Sequence, residues 1–428
     1  MSVEDSLFRL FKYSDPNTVL DMFKPYLSPC ISEIDVRYAL GYVLAEDIYS
    51  PIDRPFIDIS HVDGYAIRSI DTQGASSMKP IKLKMVKGVD PRNAHKYTIK
   101  EGEAVFVETA YPLPVGADAV VPVESVKRKG DMIYVYREIK SGLDVFRKGS
   151  DFKKGEKIAS KGDYINLSIQ KALMDLGIKY VKVFCRPRIA IIGVGSELTD
   201  EIVTPSTSKI TASSSFFLKH ILEYYGAKIA YMGLAKDDPN DLISKINYLL
   251  RKRIDLIITI GGVSMGPKDF TWITIYQFYR PRIFFRGLKA HPGRSTSGTL
   301  VEGIPIINLP GLPQSTLSGT LFIILPIINY MAGHGFSVKL PFIDVRIDDD
   351  YVFDKYVGFY RLRFLKIDYN KNRASIIRGL GSYHVSVFIK SNAFTIIKPG
   401  VKTIPKGEKI RAYYLEPIYN YDNLTKYI

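Results

Sequence analysis

With 428 residues the chain is too long for one ordinary core, so several domains are expected. Its 46% apolar and 24% charged residues are those of a soluble globular protein. The only two cysteines, Cys30 and Cys185, exclude a disulfide framework and a cysteine-built zinc site. Each reads as a small core residue in a reducing interior, and the chain reads as cytoplasmic. The formal charge of +15 points to an anionic partner, but the basic residues are scattered without a long arm, so most read as solubility charge.

The N-terminus, MSVEDSLFRLF, is acidic where a secretory signal would be basic. NTVLDMFKPYL (17–27) and DVRYALGYVLAE (35–46) carry helical spacing, with Asn17 and Asp35 as candidate caps. From 80 to 141 the chain alternates with period two, most clearly in MIYVYREI (132–139), which marks a small β domain. SIQKALMDLGI (168–178) is helical again and ends at Gly177.

From residue 188 strands alternate with helices: RIAIIGVG (188–195), SSSFFLKHILEYYG (213–226), AKIAYMGLA (227–235), DPNDLISKINYLLRKR (238–253), IDLIITIGG (254–262) and GIPIINLPG (303–311). That alternation predicts a parallel, doubly wound sheet with ligands bound beyond the carboxyl ends of its strands. LSGTLFIILPIINYMAG (317–333) is short for a span and contains Pro326, so it reads as a buried helix rather than a membrane segment. After about residue 337 alternation returns in FIDVRI, YRLRFLKI, VSVFIK, FTIIK and IRAYYL, a compact β-barrel or sandwich.

The domains expected are therefore a discontinuous helical part (1–50 and 142–182), an inserted β domain (51–141), an α/β domain (183–336) and a C-terminal β domain (337–428). The fold class is multidomain, α/β plus all-β.

Candidate chemistry gathers at the strand-end loops. GGVSMG offers Gly261, Gly262, Ser264 and Gly266, whose clustered backbone N–H groups suit an oxyanion. It is not a P-loop, and GVGSEL lacks the third glycine of a dinucleotide fingerprint. Glu197, Asp237 and Asp269 on neighbouring loops suit a hard cation such as Mg²⁺, whereas Asp237 or Asp238 alone reads as a helix cap. PGR and LPGLP bring His291, Gly293, Arg294, Pro310, Gly311 and Pro313, with His291 and Arg294 able to receive an anion. In the β region, Asp63-Gly64 reads as a turn dipeptide, while Thr109 and Asp151 stand in structured loops.

Taken together, VDGYA, TAYPLPVGADAVV, RKGSD, GSEL, KDDP, GGVSMGPKDF and LPGLP resemble, in order and spacing, the molybdopterin molybdenumtransferases of the MoeA and gephyrin C-terminal-domain type. The resemblance spans essentially the whole chain and gives the α/β domain as molybdopterin-binding and the tail as a β-barrel. It implies insertion of molybdate or tungstate into adenylylated molybdopterin with release of AMP, assisted by Mg²⁺. It implies a homodimer with its cleft between subunits, with the adenylyltransferase that supplies substrate as a candidate partner. Neither nucleic acid nor membrane is a partner in this reading.

Matched by motif, Asp237 and Asp269 are the metal and phosphate acids. Asp63, Asp151 and Glu197 are further catalytic polar positions, and Thr109 joins the strand-end loops in binding the cofactor. The chain departs from the family pattern at His291 and Gly287, where lysines are expected, and at Ser196, Ala212, Ser214, Ser295 and Leu312. These departures leave a pterin-binding scaffold or paralogue with weak or no transferase activity as the alternative.

Overall fold

The computed structural model describes residues 12–206, 208–263, 270–378 and 381–414. The chain separates into two compact units, one of residues 33–40 and 44–182, the other of residues 1–32, 41–43 and 183–428.

The first helix of the larger unit among the described residues is α1 (Pro16–Phe23), capped by Asp15, whose carboxylate accepts the Asn17 N–H. The helix expected over 35–46 does not form. Asp35 caps only a single 3-10 turn (Val36–Tyr38), the chain reverses at Gly41 with φ +76°, and Val43–Leu44 is a strand. The smaller unit contains a six-stranded sheet of β1 (Gly64–Ile67), β2 (Ile81–Met85), β3 (Glu103–Val107), β4 (Ala119–Pro122), β5 (Val126–Lys129) and β6 (Met132–Val135). Its order is β4-β1-β3-β2-β6-β5, and helix α2 (Leu167–Asp175) follows, capped by Asn166.

The α/β part runs β7 (Arg188–Val194), α3 (Ser213–Tyr224), β8 (Lys228–Ala235), α4 (Pro239–Leu250), β9 (Leu256–Ile260), α5 (Phe270–Tyr279), β10 (Phe284–Arg286), β11 (Ser297–Val301) and β12 (Ile304–Leu309). Sheet order is β8-β7-β9-β12-β11-β10. The first four strands in that order are parallel; β11 runs antiparallel to both β12 and β10, so the sheet is mixed rather than wholly parallel. Tight reversal at Gly303, φ +81°, makes β11 and β12 a hairpin.

Alternate residues of β9 serve opposite cores. Leu256, Ile258 and Ile260 pack with α1 and α3, while Ile257 packs with Leu242, Ile246 and Leu249 of α4. That two-sided burial explains the continuous apolar run. The apolar segment near residue 320 is a buried helix: α6 (Pro313–Gly319), a π turn (Thr320–Ile324) and α7 (Leu325–Met331), with the π turn just before Pro326. No helix among the described residues is long and apolar enough to cross a membrane.

The C-terminal part is a closed barrel of β13 (Phe342–Ile347), β14 (Tyr360–Asp368), β15 (Arg373–Ile376), β16 (Ala393–Ile397) and β17 (Lys409–Tyr414). The circuit β14-β15-β13-β17-β16 closes because β16 pairs back onto β14. VSVFIK is not one of its strands: Ser386–Lys390 is a short helix.

The cysteines also depart from expectation. Cys30 and Cys185 form a disulfide with Cα atoms 5.2 Å apart, and the Cys185 N–H donates to the Cys30 carbonyl at 2.8 Å. Backbone pairing brings the two together across 155 residues, a proximity that spacing alone could not reveal.

Candidate functional site

Because β8, β7, β9 and β12 are parallel neighbours, their exits fall in one row at one edge of the sheet. Asp237 follows β8, Gly195 to Glu197 follow β7, Gly261 and Gly262 follow β9, and Pro310 and Gly311 follow β12. Reciprocal hydrogen bonds lock the first two exits together. The Asp237 carboxylate accepts the Ser196 N–H at 3.0 Å, and the Ser196 hydroxyl accepts the Asp237 N–H at 3.0 Å. The ambiguity between two aspartates resolves here: Asp238 caps α4, accepting the Asn240 N–H at 3.1 Å, and leaves Asp237 to the strand-end row.

The paired glycines serve packing. A Cβ on Gly261, at φ +105°, would lie 2.3 Å from the Val194 carbonyl oxygen. One on Gly262 would lie 2.3 Å from the Thr271 hydroxyl, which itself donates to the Gly261 carbonyl at 3.0 Å. Gly311 touches the same turn, and its carbonyl accepts the Ser214 hydroxyl at 3.0 Å. Pro313 opens α6, where the Thr316 hydroxyl donates back to the Pro310 carbonyl at 2.6 Å. Glu197 folds over Gly195, its carboxylate oxygens 2.8 Å from where a Cβ there would stand. Ser264, Gly266 and Asp269 lie outside the described residues. Among the described residues no group of three or more His, Cys, Asp or Glu side chains could hold a metal ion.

A second cluster surrounds the PGR loop. Strand Ala290–His291 pairs in parallel with the start of β14, so His291 is the register partner of Arg361. Arg361 is completely buried. Its Nη2 donates to the Val401 carbonyl, while Nε and Nη1 are buried without a hydrogen-bond partner. Its guanidinium also sits 4.5 Å from the Phe353 ring centre. Arg294 lies 4.5 Å over the Tyr356 ring, and His291 stacks on that ring at 4.0 Å. Gly293, at φ +103°, seats the loop against Ser318.

Burial, then the charges of Arg363, Arg294 and Arg361, push the His291 imidazole down from 6.5 to about 4, so it is neutral at physiological pH. Burial, then Arg361, also pulls Arg363 down to about 10. No carboxylate pairs with Arg294, Arg361 or Arg363 among the described residues. Three arginines whose charges act on one neutral imidazole suit an oxyanion. Arg361, Arg363 and Tyr356 carried no motif; YRLR reads simply as an alternating strand.

In the smaller unit Asp63 and Thr109 meet directly. One Asp63 oxygen accepts the Thr109 N–H at 2.7 Å and its hydroxyl at 2.9 Å. These two bonds, backbone first, lower the Asp63 pKa. Gly64 is not a turn residue: it opens β1, and a Cβ there would lie 2.4 Å from the Val121 carbonyl oxygen. Asp151 pairs with Arg54 at 3.3 Å, and Arg54 also reaches Asp175 at 3.1 Å.

Comparison with known proteins agrees with this architecture. Residues 15–177 match the family described as "MoeA N-terminal region (domain I and II)", and residues 190–330 match the "Probable molybdopterin binding domain". The molybdopterin molybdenumtransferase of Staphylococcus aureus (strain COL) is 31% identical over 301 residues, 70% of this chain and 71% of its own length. A Methanocaldococcus jannaschii relative named for molybdopterin biosynthesis is 30% identical over 405 residues, 90% of this chain and 92% of its own. The crystal structure of the molybdopterin biosynthesis MoeA protein from Pyrococcus horikosii superposes with a TM-score of 0.79 at 29% identity, covering 95% of this chain and 100% of that one.

An inserted β module, a doubly wound sheet and a closed terminal barrel define a multidomain protein built around a molybdopterin-binding domain. The chain belongs to the molybdopterin molybdenumtransferase (MoeA) family. It is a transferase of molybdenum cofactor biosynthesis.

Proposed function

We propose that the protein inserts molybdate, or tungstate of nearly equal size and charge, into adenylylated molybdopterin and releases AMP. The observation that carries this reading is Arg361, a buried guanidinium with two unpartnered nitrogens beside Arg294 and Arg363. A buried cation without a carboxylate is costly unless an anion completes it. The oxyanion would fill that need, with Arg361 donating from its fixed fork and the neutral His291 adding a hydrogen bond without further repulsion.

The phosphate end of the pterin nucleotide would lie along the strand-end row, against the loops that follow β7, β9 and β12. Asp237 suits Mg²⁺, which commonly takes one or two protein carboxylates and completes its shell with substrate phosphates and water. Bound there, the ion would neutralise charge as the pyrophosphate link is cleaved. The role given to Asp269 beside it rests on the family resemblance, as do those of Ser264 and Gly266. Asp63, held by Thr109, Asp151, held by Arg54, and Glu197, folded over Gly195, are proposed as polar groups that orient substrate. The family pattern further assigns a homodimer and an adenylyltransferase as the source of substrate.

The test is AMP release from adenylylated molybdopterin with Mg²⁺, run in parallel with molybdate and tungstate. Turnover that depends on either oxyanion supports the proposal. Tight pterin binding with no AMP formed would favour the scaffold reading, which the neutral His291, standing where the family has a lysine, motivates.

A further inference from the structure

The three strands β2, β6 and β5 form one end of the sheet in the smaller unit. Their register places Lys82 and Lys127 opposite Tyr134, and Lys84 and Lys129 opposite Met132. Leu83, Ile133 and Val135 point the other way, into the core. The opposite face therefore carries Lys82, Lys84, Lys127 and Lys129 in two rows flanking Met132 and Tyr134. All four lysines are exposed. None forms an ion pair among the described residues. Two carboxylates that feel the charge of Lys84 are engaged elsewhere: Glu103 by Tyr97 and the Lys100 N–H, Asp131 by Lys87 at 2.7 Å.

Lysines on an edge strand commonly blunt it against pairing with another chain. That accounts for Lys127 and Lys129 on β5, the last strand of the sheet. It does not account for Lys82 and Lys84, two strands inward and pointing to the same face. Within a row the lysine Cα atoms are ~7 Å apart, and the rows are ~10 Å apart, as strand geometry requires. The result is a flat cationic grid of strand-like spacing.

We propose that this face docks an acidic protein segment, Asp- or Glu-rich, laid across β2, β6 and β5. Charge complementarity selects a polyanion, and the rings select among polyanions. Single-stranded nucleic acid needs open aromatic faces for its bases to stack on as well as a cationic groove for its phosphates. Here Tyr134 is flanked by the ammonium groups of Lys82 at 5.6 Å and Lys129 at 5.8 Å, and Tyr136 by Lys127 at 5.7 Å. Those cation–π contacts occupy the rings and hold the ammonium groups in place for carboxylates. Such steering raises association rates and weakens with salt.

Fluorescence anisotropy of a labelled Glu-rich peptide tests the proposal on the full-length protein. Binding should weaken with salt and fall at least roughly tenfold in either Lys82→Glu/Lys84→Glu or Lys127→Glu/Lys129→Glu, about 1.4 kcal/mol. The same number of reversals on the barrel, in Lys366→Glu/Lys406→Glu, should leave it nearly unchanged. Thermal unfolding of each variant verifies that it is folded. An equal loss in the barrel variant would reduce the effect to net charge and overturn the site. So would absence of peptide binding, or tighter binding through this face of an oligothymidylate or an anionic phospholipid vesicle.

Discussion

Arg361 and His291 are register partners on two parallel strands, one in the connection between β10 and β11 of the α/β sheet and the other the second strand of the barrel. The pairing makes the anion cluster a joint product of two sheets. Replacing Arg361 with Met should keep the stem's packing and remove the fork. Hydrogen bonds to charged groups contribute about 1.5–3 kcal/mol, so the molybdate KM should rise roughly 10- to 100-fold. Arg361→Lys should recover part of that loss, since a point charge remains without bidentate geometry. Unchanged molybdate dependence in the Met variant would remove the oxyanion from this pocket.

His291 gives a pH signature of definite sign. Its folded pKa of about 4 lies below the ordinary 6.5, so between these values the unfolded chain binds a proton that the folded chain does not. Its contribution is complete above about pH 6.5 and is lost as pH falls toward 4. The His291→Gln protein should therefore lose less thermal stability than the parent across this interval. NMR titration should show the imidazole still neutral at about pH 6. A midpoint near 6.5 would contradict its burial among arginines.

Asp63 depends on Thr109 for both of its hydrogen bonds, and these hold its pKa down. Thr109→Ala removes the hydroxyl and keeps the N–H, so the Asp63 pKa should rise part of the way toward the ordinary carboxylate value. Turnover in the AMP-release assay should fall roughly tenfold, the effect of one hydrogen bond to a charged group. Thr109→Ser should restore both. Carboxyl NMR separates this positioning role from general destabilisation, because only the former moves the Asp63 titration.

These residues also mark what the sequence could convey. The α/β core was legible because β9 is buried on every residue and apolar at all but Thr259, and α4 carries Leu242, Ile246 and Leu249 on one face behind a cap and a proline. Asp63, Thr109 and Asp237 were legible through motifs. Arg361 and Arg363 were not, because alternating arginines on a strand look like an ordinary outward face until the barrel closes over them. VSVFIK alternated like a strand yet forms a helix, since so short a run fixes no period by itself. DVRYALGYVLAE had helical spacing, but Gly41 in the left-handed region ends the turn before a helix can grow.

The glycines after β9 allow a sharper separation of fold from chemistry. Gly261→Ala forces a Cβ against the Val194 carbonyl in a left-handed conformation, so it should lower stability by several kcal/mol and reduce soluble yield. Gly311→Ala meets nothing nearer than the Gly261 Cα at 3.7 Å and should fold normally. Loss of AMP release in the Gly311 variant with an unchanged unfolding midpoint would then report crowding of the phosphate row. A stable Gly261→Ala protein would show that this turn can be rebuilt.

The Cys30–Cys185 disulfide closes a loop spanning 155 residues, which includes the whole of the smaller unit. Cross-links of such length stabilise chiefly by restricting the unfolded chain, on the order of 3–5 kcal/mol. Non-reducing alkylation should label neither cysteine, and labelling of both should follow reduction. Dithiothreitol and Cys30→Ser should lower the unfolding midpoint equally, with no further effect of the reductant on the variant. Neither cysteine is among the residues assigned to the site, so AMP release at moderate temperature should survive the loss of the bond. Full alkylation without reductant would show both thiols free in solution and leave the segments held by backbone pairing alone.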